Sequence, residues 1–241
     1  HKWMRKRLAL LAQKIETQAA HTHRAVVDSA PVLERAFAQK SGLGWIGKNT
    51  MLINSQAGSY FFLGEILTDL PLPLTAPQET THCGTCTACL DLCPTQAFVA
   101  PQQLDASRCI SYLTIELRGS IPLELRSKIG NRIFGCDDCQ AVCPWNKFAQ
   151  RTEQEVFQPK HHLDDAQLTA LFAWSEEEYL EKTAGSALRR IGYEGWLRNI
   201  AVALGNARTT SEIIFSLNSR REHESALVRE HVAWALAQHA H

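Results

Sequence analysis

The sequence lacks the long apolar runs that mark membrane proteins. No stretch approaches the roughly 20 consecutive apolar residues that a membrane-spanning helix needs. The basic N-terminal residues lead into an amphipathic helical pattern, not into the apolar core and cleavage site of a secretory leader. We therefore predict a cytoplasmic protein without membrane association. An initiator methionine is also absent, so we expect a further segment upstream of His1.

An excess of charge of either sign is lacking as well. The 25 lysines and arginines balance the 25 aspartates and glutamates, so the formal net charge is zero. A strongly basic chain would indicate nucleic-acid binding directly. In this chain a surface for nucleic acid has to be a local patch.

Eight cysteines are present, and their spacing is more informative than their number. Dense disulfide frameworks suit small secreted domains, whereas this chain of 241 residues is neither small nor marked for secretion. The segment from Cys83 to Pro94 follows C-x2-C-x2-C-x3-C-P, the run of bacterial ferredoxins. Three of its thiolates surround one cubane, and the fourth ligates the other cluster of a two-cluster protein.

A second, shorter motif from Cys136 to Pro144 has the spacing C-x2-C-x3-C-P. It lacks the leading cysteine, and Cys109 is the remaining candidate for that position. The ferredoxin exchange of ligands then predicts two 4Fe-4S clusters that together use all eight cysteines. Cluster 1 takes Cys83, Cys86, Cys89 and Cys143, and cluster 2 takes Cys93, Cys109, Cys136 and Cys139.

Zinc and disulfides are the alternatives for these cysteines. Structural zinc needs four ligands in two C-x2-C pairs, which gives no reason for a Cys-Pro ending on both motifs. Repeated disulfides across two intervening residues would be strained. The spacing therefore favours iron–sulfur clusters.

The rest of the chain mixes helical and strand patterns, with helices alone from about residue 164 onward. The predicted elements of the N-terminal third are a helix over 2–20, a strand over 25–27, a helix from 29 to about 41, and strands over 51–54 and 59–67. In the C-terminal part, leucines and small residues recur in Trp196–Asn206 and Leu227–Gln238, at an offset near 32 residues. This repetition indicates a HEAT-like helical pair or an ordinary helical bundle.

Two further features lie in the N-terminal third. Asp28 follows the predicted strand over 25–27, where a partly buried carboxyl can act as an acid, although position alone favours an ordinary turn or helix-capping residue.

The loop over 42–49 resembles both a dinucleotide fingerprint and a P-loop. We reject both, because a helix precedes this loop and a strand follows it. What remains is a backbone that can approach a ligand closely, with Lys48 able to reach an anionic or amide-rich cofactor.

Taken together, these segments resemble the epoxyqueuosine reductase family, and the resemblance extends over nearly the whole chain. The matching segments are 27–35, 42–49, 58–65, both cysteine motifs, 108–116, 130–136, 189–192 and 196–205. The resemblance implies an α+β protein with three parts. They are the C-terminal part of a reductive-dehalogenase-like cobalamin domain over 1–78, a ferredoxin-like two-cluster module over 79–148, and a HEAT-like helical domain over 149–241.

The resemblance also implies an activity, the reduction of epoxyqueuosine to queuosine at the wobble position of a tRNA anticodon loop. The clusters would pass electrons from an external donor to cobalamin, and Asp28 would be the proton donor. The protein is expected to be a monomer. The residues implied to contact cobalamin are Asp28, Gly47, Lys48, Asn49 and Ser111. The candidates for tRNA phosphate contacts are Arg189, Arg190 and Arg198, whereas Trp196 is expected in the helical core.

Three other functions compete with this one. A reductive dehalogenase would share the clusters and cobalamin, but that family usually has an export signal and no helical tail. A simple electron-transfer protein would not need Asp28 or the glycine loop. A binding scaffold would use the helical tail alone.

Overall fold

The computed structural model describes residues 1–240 and contains both helices and strands, which confirms the mixed class. The helices are α1 (Lys2–Glu16), α2 (Glu34–Lys40), α3 (Ala88–Asp91), α4 (Ile110–Ile115), α5 (Leu123–Ile129), α6 (Asp138–Ala141), α7 (Leu168–Ala173), α8 (Glu176–Lys182), α9 (Gly192–Gly205), α10 (Ser211–Asn218) and α11 (Ala226–Gln238). The strands are β1 (His23–Val26), β2 (Trp45–Ile46), β3 (Leu52–Ile53), β4 (Glu65–Thr68), β5 (Phe98–Ala100) and β6 (Gln103–Leu104). No helix among the described residues is long and apolar enough to cross a bilayer.

The chain divides into two compact units that are each assembled from separate segments. Unit 1 comprises 1–92, 100–103 and 138–158, and unit 2 comprises 93–99, 104–137 and 159–241. Each of the two cysteine motifs is therefore divided between unit 1 and unit 2, a division that the sequence does not show. The three-part division at residues 78 and 148 stays a prediction.

Unit 1 contains two antiparallel strand pairs. β1 pairs with β4, with Val26 opposite Glu65, and β2 pairs with β3, with Trp45 opposite Ile53. Val26, Trp45 and Ile53 are buried, so the β-branched and aromatic residues of these short strands contribute to the core of the unit. The glycine loop predicted over 42–49 thus contains a strand of its own.

Two elements of unit 1 differ most from the sequence prediction. α2 begins at Glu34 and not at residue 29, because Pro31 disfavours the helical conformation at the residue before it. The intervening backbone turns instead, with the Ala30 amide donating to the Val27 carbonyl at 2.9 Å. The strand predicted over 59–67 pairs only from Glu65 onward. At its start, the Ser59 amide donates to the Asn146 side chain at 2.6 Å and not to a neighbouring strand.

Unit 2 is built around α9, which is buried along most of its length. Trp196 is fully buried, stacks on Trp174 with ring centroids 5.4 Å apart, and donates from Nε1 to the Leu171 carbonyl. Val202, on the same helix, packs into a second cluster with residues of α4 and α5. α9 therefore joins the C-terminal helices to the segment that carries Cys109 and Cys136. The HEAT-like description of these helices stays a prediction.

Candidate iron–sulfur and catalytic sites

Four cysteines of unit 1 line one cavity of about 360 Å³. They are Cys83, Cys86, Cys89 and Cys143. Burial raises the pKa of Cys89, and the charges of Cys83 and Cys143 raise it further. Burial also raises the pKa of Cys143, with smaller contributions from Cys83 and Cys86. Mutual electrostatic effects of this kind require the thiols to lie close together.

Local backbone geometry brings these cysteines into the cavity. The Cys86 amide donates to the Cys83 carbonyl at 3.1 Å, and Gly84 between them has φ +52°, a left-handed conformation that favours glycine. Cys143 directly precedes a 3-10 helix that begins at Pro144, whose fixed φ suits a first helical position. The donor set and the cavity fit a 4Fe-4S cluster, because four neighbouring thiols can supply the four thiolates that such a cluster needs.

The glycine loop of unit 1 makes contact with both cysteine motifs. Lys48 Nζ donates to the carbonyls of Gly84 at 2.8 Å and Cys86 at 2.9 Å. Asn49 is 1% exposed, and its Nδ2 donates to the Cys139 carbonyl at 2.9 Å. Both side chains were predicted to contact cobalamin; their nitrogens bond the cysteine loops, and the cobalamin contacts stay a prediction. Spacing could not find these contacts, because they join residues far apart in sequence.

Close packing fixes the conformation of the loop around Lys48. A Cβ added at Gly47 would lie 2.4 Å from Ile53 Cδ1 and 2.9 Å from Asn49 Oδ1. A Cβ at Gly58, where φ is +70°, would lie 2.2 Å from Asn146 Oδ1. Both glycines belong to segments of the family resemblance, and close approach explains why glycine stands there.

The cysteines assigned to cluster 2 are divided between the two units. Cys93, Cys109 and Cys136 belong to unit 2, and Cys139 belongs to unit 1, so this ligand set stays a prediction from spacing. Within unit 2, the Ala97 amide donates to Cys93 Sγ at 3.3 Å, the type of hydrogen bond that tunes cluster ligands. Ser111 lies half-buried on α4 of the same unit.

Asp28 lies on an exposed turn of unit 1, two residues after β1. Its side chain is 71% exposed, and its Oδ2 lies 3.6 Å from His1 Nε2. The carboxyl of Glu34 lies near Asp28, and that of Glu65 lies near Glu34; neither was predicted to have a role. Burial, followed by the charge of Asp28, raises the pKa of Glu34. Burial, followed by the charge of Glu34, raises the pKa of Glu65.

The three arginines considered for tRNA differ in exposure. Arg189 and Arg190 are exposed on the 3-10 helix Ala187–Ile191 that precedes α9. Arg190 makes an ion pair with Glu116, at 2.9 Å from Nη2 to Oε2. Arg198, by contrast, is 1% exposed, and burial, with help from Arg118, lowers its pKa to about 10.

The Arg198 guanidinium is fully engaged inside unit 2. It donates to the backbone carbonyls of Leu113, Leu117 and Gly119 at 2.7 to 2.8 Å, and to Asn199 Oδ1. These contacts anchor the chain that follows Cys109. The sequence contained a signal for this burial, because Arg198 lies within an otherwise apolar helical run, where an arginine needs buried hydrogen-bond partners.

Asn199 continues the same anchoring system. It is also 1% exposed, and its Nδ2 donates to the carbonyls of Thr114 and Ile133 at 2.8 and 2.9 Å. Thr114 Oγ1 in turn accepts from the Gly135 amide at 2.9 Å. Neighbouring residues of α9 thus hold the two ends of the segment between Cys109 and Cys136.

Comparison with known proteins places these sites in a class. The family model of the 4Fe-4S double cluster binding domain matches residues 82–146, the span of both cysteine motifs. The chain therefore contains an iron–sulfur domain of the two-motif type.

The whole chain then defines a narrower family. It is 62% identical to the epoxyqueuosine reductase of Pseudomonas aeruginosa, over 99% of this chain and 66% of the relative. It is 61% identical to that of Xanthomonas campestris pv. campestris, over 99% of this chain and 67% of the relative. A crystal structure of an epoxyqueuosine reductase with an epoxyqueuosine-modified tRNA-Tyr stem loop has a TM-score of 0.91 and 34% identity, covering 100% of this chain and 64% of that one.

The chain belongs to the epoxyqueuosine reductase family, which confirms the resemblance found in the sequence. It spans about two thirds of the length of the curated relatives that it matches.

The ligand assignment makes a prediction about iron. Anaerobically purified protein should contain about eight irons per chain, and a Cys143→Ala variant should contain about four, because cluster 1 then lacks a thiolate. Iron analysis measures the content, and the electron paramagnetic resonance signal of cluster 2 serves as the internal control. An iron content near four in the unaltered protein, or stoichiometric zinc, would refute the assignment.

Proposed function

We propose that the complete gene product reduces epoxyqueuosine to queuosine at the wobble position of tRNA, using two 4Fe-4S clusters and cobalamin. The observation that carries this proposal is the similarity over the full chain to a structure of a relative with an epoxyqueuosine-modified tRNA stem loop. The cavity lined by four cysteines adds a place for the electron carrier that such a reduction needs.

The reaction sets the requirements for the site. Converting an epoxide to an alkene and water consumes two electrons and two protons per turnover. Cluster 1 and cluster 2 would supply the electrons one at a time from an external donor. Unpaired bases of the anticodon loop can be turned into a protein pocket more easily than paired ones.

Cobalamin, when bound, would supply a reduced metal centre that reacts with the epoxide. Its proposed contacts are Asp28, Gly47, Lys48, Asn49 and Ser111, by family resemblance. The side chains of Lys48 and Asn49 are engaged with the cysteine loops, and Gly47 is buried. The cobalamin proposal therefore rests on the resemblance.

Asp28 is proposed as the proton donor. An alkoxide is a poor leaving group, and a positioned acid lowers the barrier to its departure. The carboxyl of Asp28 is exposed on a turn, so it is accessible to a substrate. Glu34 stands beside it with a raised pKa, which keeps a second carboxyl protonated to higher pH than usual.

For tRNA, the exposed arginines of unit 2 are the proposed phosphate contacts, whereas the guanidinium of Arg198 is already occupied by backbone carbonyls. We expect Arg189→Ala to weaken binding of all substrate tRNAs by a similar factor and to reduce the salt slope by about one, because a phosphate contact carries no sequence information. Arg190→Ala should have the same two effects but to a smaller extent, because Glu116 already neutralises part of the Arg190 charge. Filter binding at several salt concentrations measures both.

Arg208 offers a matched control for these variants. It is exposed in the same unit, beyond the opposite end of α9, so Arg208→Ala should leave affinity and salt slope nearly unchanged. Unchanged affinity in the Arg189→Ala, Arg190→Ala double variant would place the tRNA surface elsewhere.

The proposed activity is tested by incubating the reconstituted complete protein with an epoxyqueuosine stem loop, cobalamin and a strong chemical reductant under anaerobic conditions. Mass spectrometry should show loss of one oxygen from the base, and omission of cobalamin should abolish that loss. Dehalogenation of a halogenated aromatic compound without any change in the stem loop would support the reductive dehalogenase instead. Cluster reduction without cobalamin retention or conversion would support a simple electron-transfer protein.

A further inference from the structure

The ammonium group of Lys48 is the cation that the structure fixes against the proposed cluster 1. Its Nζ lies within hydrogen-bonding distance of the Gly84 and Cys86 carbonyls, in the loop that joins the first two cysteines of the set. Lys48 also lines the cavity that contains the four thiols. Two simultaneous bonds restrict a flexible lysine side chain, so the charge has a defined position.

Apart from the cysteines, the charged side chains that line this cavity are positive. Apart from the cysteines and His82, the titratable residues of its lining are Lys48 and Lys147, and no carboxylate of residues 1–240 is among them. The two lysines are held differently, because Lys147 Nζ lies 4.8 Å from the centre of the Phe148 ring and Lys48 bonds the cysteine loop itself. Lys48 is half-buried, whereas Lys147 is exposed.

A fixed cation beside a cluster acts on its reduction. A 4Fe-4S cube with four thiolates is an anion, and taking up one electron makes it more negative. A nearby positive charge stabilises the reduced form more than the oxidised form, so it raises the reduction potential. By bonding two carbonyl oxygens, the same ammonium also offsets the negative ends of two dipoles near the cube.

We propose that Lys48 is a positioning and charge-compensating residue of cluster 1, which holds the Cys83–Cys86 loop and raises the reduction potential of that cluster. The inference rests on the proposed two-cluster function, because it requires cluster 1 to be present. This role of Lys48 gives the glycine loop a redox function. Lys48 directly follows Gly47, where close packing leaves no room for a larger residue. Asn49 reinforces the arrangement by bonding the Cys139 carbonyl of the second motif.

The test is a potentiometric titration of the complete protein, followed by electron paramagnetic resonance. Lys48→Met keeps most of the side-chain volume and removes the charge. It should shift the midpoint of cluster 1 to lower potential, so that the ratio of reduced to oxidised cluster at a fixed applied potential falls roughly tenfold. Lys48→Arg should restore most of the ratio, and the midpoint of cluster 2 in the same samples should not move.

Lys147→Met is the matched control, and it should give a smaller shift because its ammonium is not bonded to the loop. Equal shifts in Lys48→Met and Lys147→Met, or an unchanged midpoint in Lys48→Met, would overturn the proposal. If Lys48→Met loses cluster 1, Lys48→Gln supplies the test, because an amide can still donate to a carbonyl. A Lys48→Gln protein with both clusters and an unshifted midpoint would also overturn it. Absence of cluster signals in the unaltered protein would instead contradict the proposed function itself.

Discussion

Replacing Asp28 with asparagine should reduce single-turnover conversion of epoxyqueuosine tRNA by about a hundred- to ten-thousand-fold, the usual contribution of a positioned acid. Asparagine keeps the shape of the side chain and has no transferable proton. The side chain is 71% exposed, and its described ion-pair partner is His1, so the exchange should disturb little of unit 1. A strong chemical reductant in excess ensures that electron supply does not limit the rate.

Asp69 provides a control for the loss of one negative charge in the same unit. It is also exposed, and its Oδ1 accepts from the Thr22 amide at 2.9 Å, away from the proposed chemistry. Asp69→Asn should convert the substrate at a rate close to that of the unaltered protein. Near-normal conversion by Asp28→Asn would remove Asp28 from the mechanism, and loss of cobalamin in that variant would make it a binding residue.

Replacing Arg198 with methionine should lower the free energy of unfolding by about 3 kcal/mol or more. The exchange leaves the carbonyls of Leu113, Leu117 and Gly119 without their buried donor, and each buried unsatisfied polar group costs about 1 to 3 kcal/mol. Methionine fills much of the volume, so the loss reports hydrogen bonding more than an empty cavity. Urea unfolding followed by circular dichroism measures the change.

Arg190→Met is the control for that experiment. Its side chain is 56% exposed and pairs with Glu116 at the surface, and surface pairs contribute about 0 to 1 kcal/mol. The stability of Arg190→Met should therefore stay within about 1 kcal/mol of the unaltered protein. If Arg198→Met were equally stable and instead weakened tRNA binding with a reduced salt slope, Arg198 would be a phosphate contact after all.

Local spacing was sufficient for the features that short-range chemistry dictates. The C-x2-C-x2-C-x3-C-P run indicates iron–sulfur ligation by itself, because neighbouring thiolates have to fit the corners of one cube. Trp196, at helical spacing among leucines and alanines, was expected in the core and is fully buried there. The family, too, was recognisable from the segments around Asp28 and the cysteine motifs, and relatives of 62% and 61% identity confirm it.

Long-range contacts account for what the sequence did not reveal. Lys48 follows a glycine and carries a charge, which suggested a ligand contact, but its partners lie in a loop 36 and 38 residues further along the chain. Arg198 was predicted as a phosphate contact, although its place in an apolar helical run indicates burial; its carbonyl partners lie 79 to 85 residues earlier in the chain, so spacing could not identify them. Glu34 begins α2 and Glu65 begins β4, and the charge of Glu34 raises the pKa of Glu65, a proximity between separate elements that local spacing does not encode.

The most direct test of the central claim is mass spectrometry of tRNA from cells that lack this gene. The proposed function predicts that epoxyqueuosine accumulates at the wobble position, that queuosine disappears, and that the unaltered gene restores queuosine whereas the Asp28→Asn gene does not. Normal queuosine in the deleted cells, with no accumulated epoxyqueuosine, would contradict it.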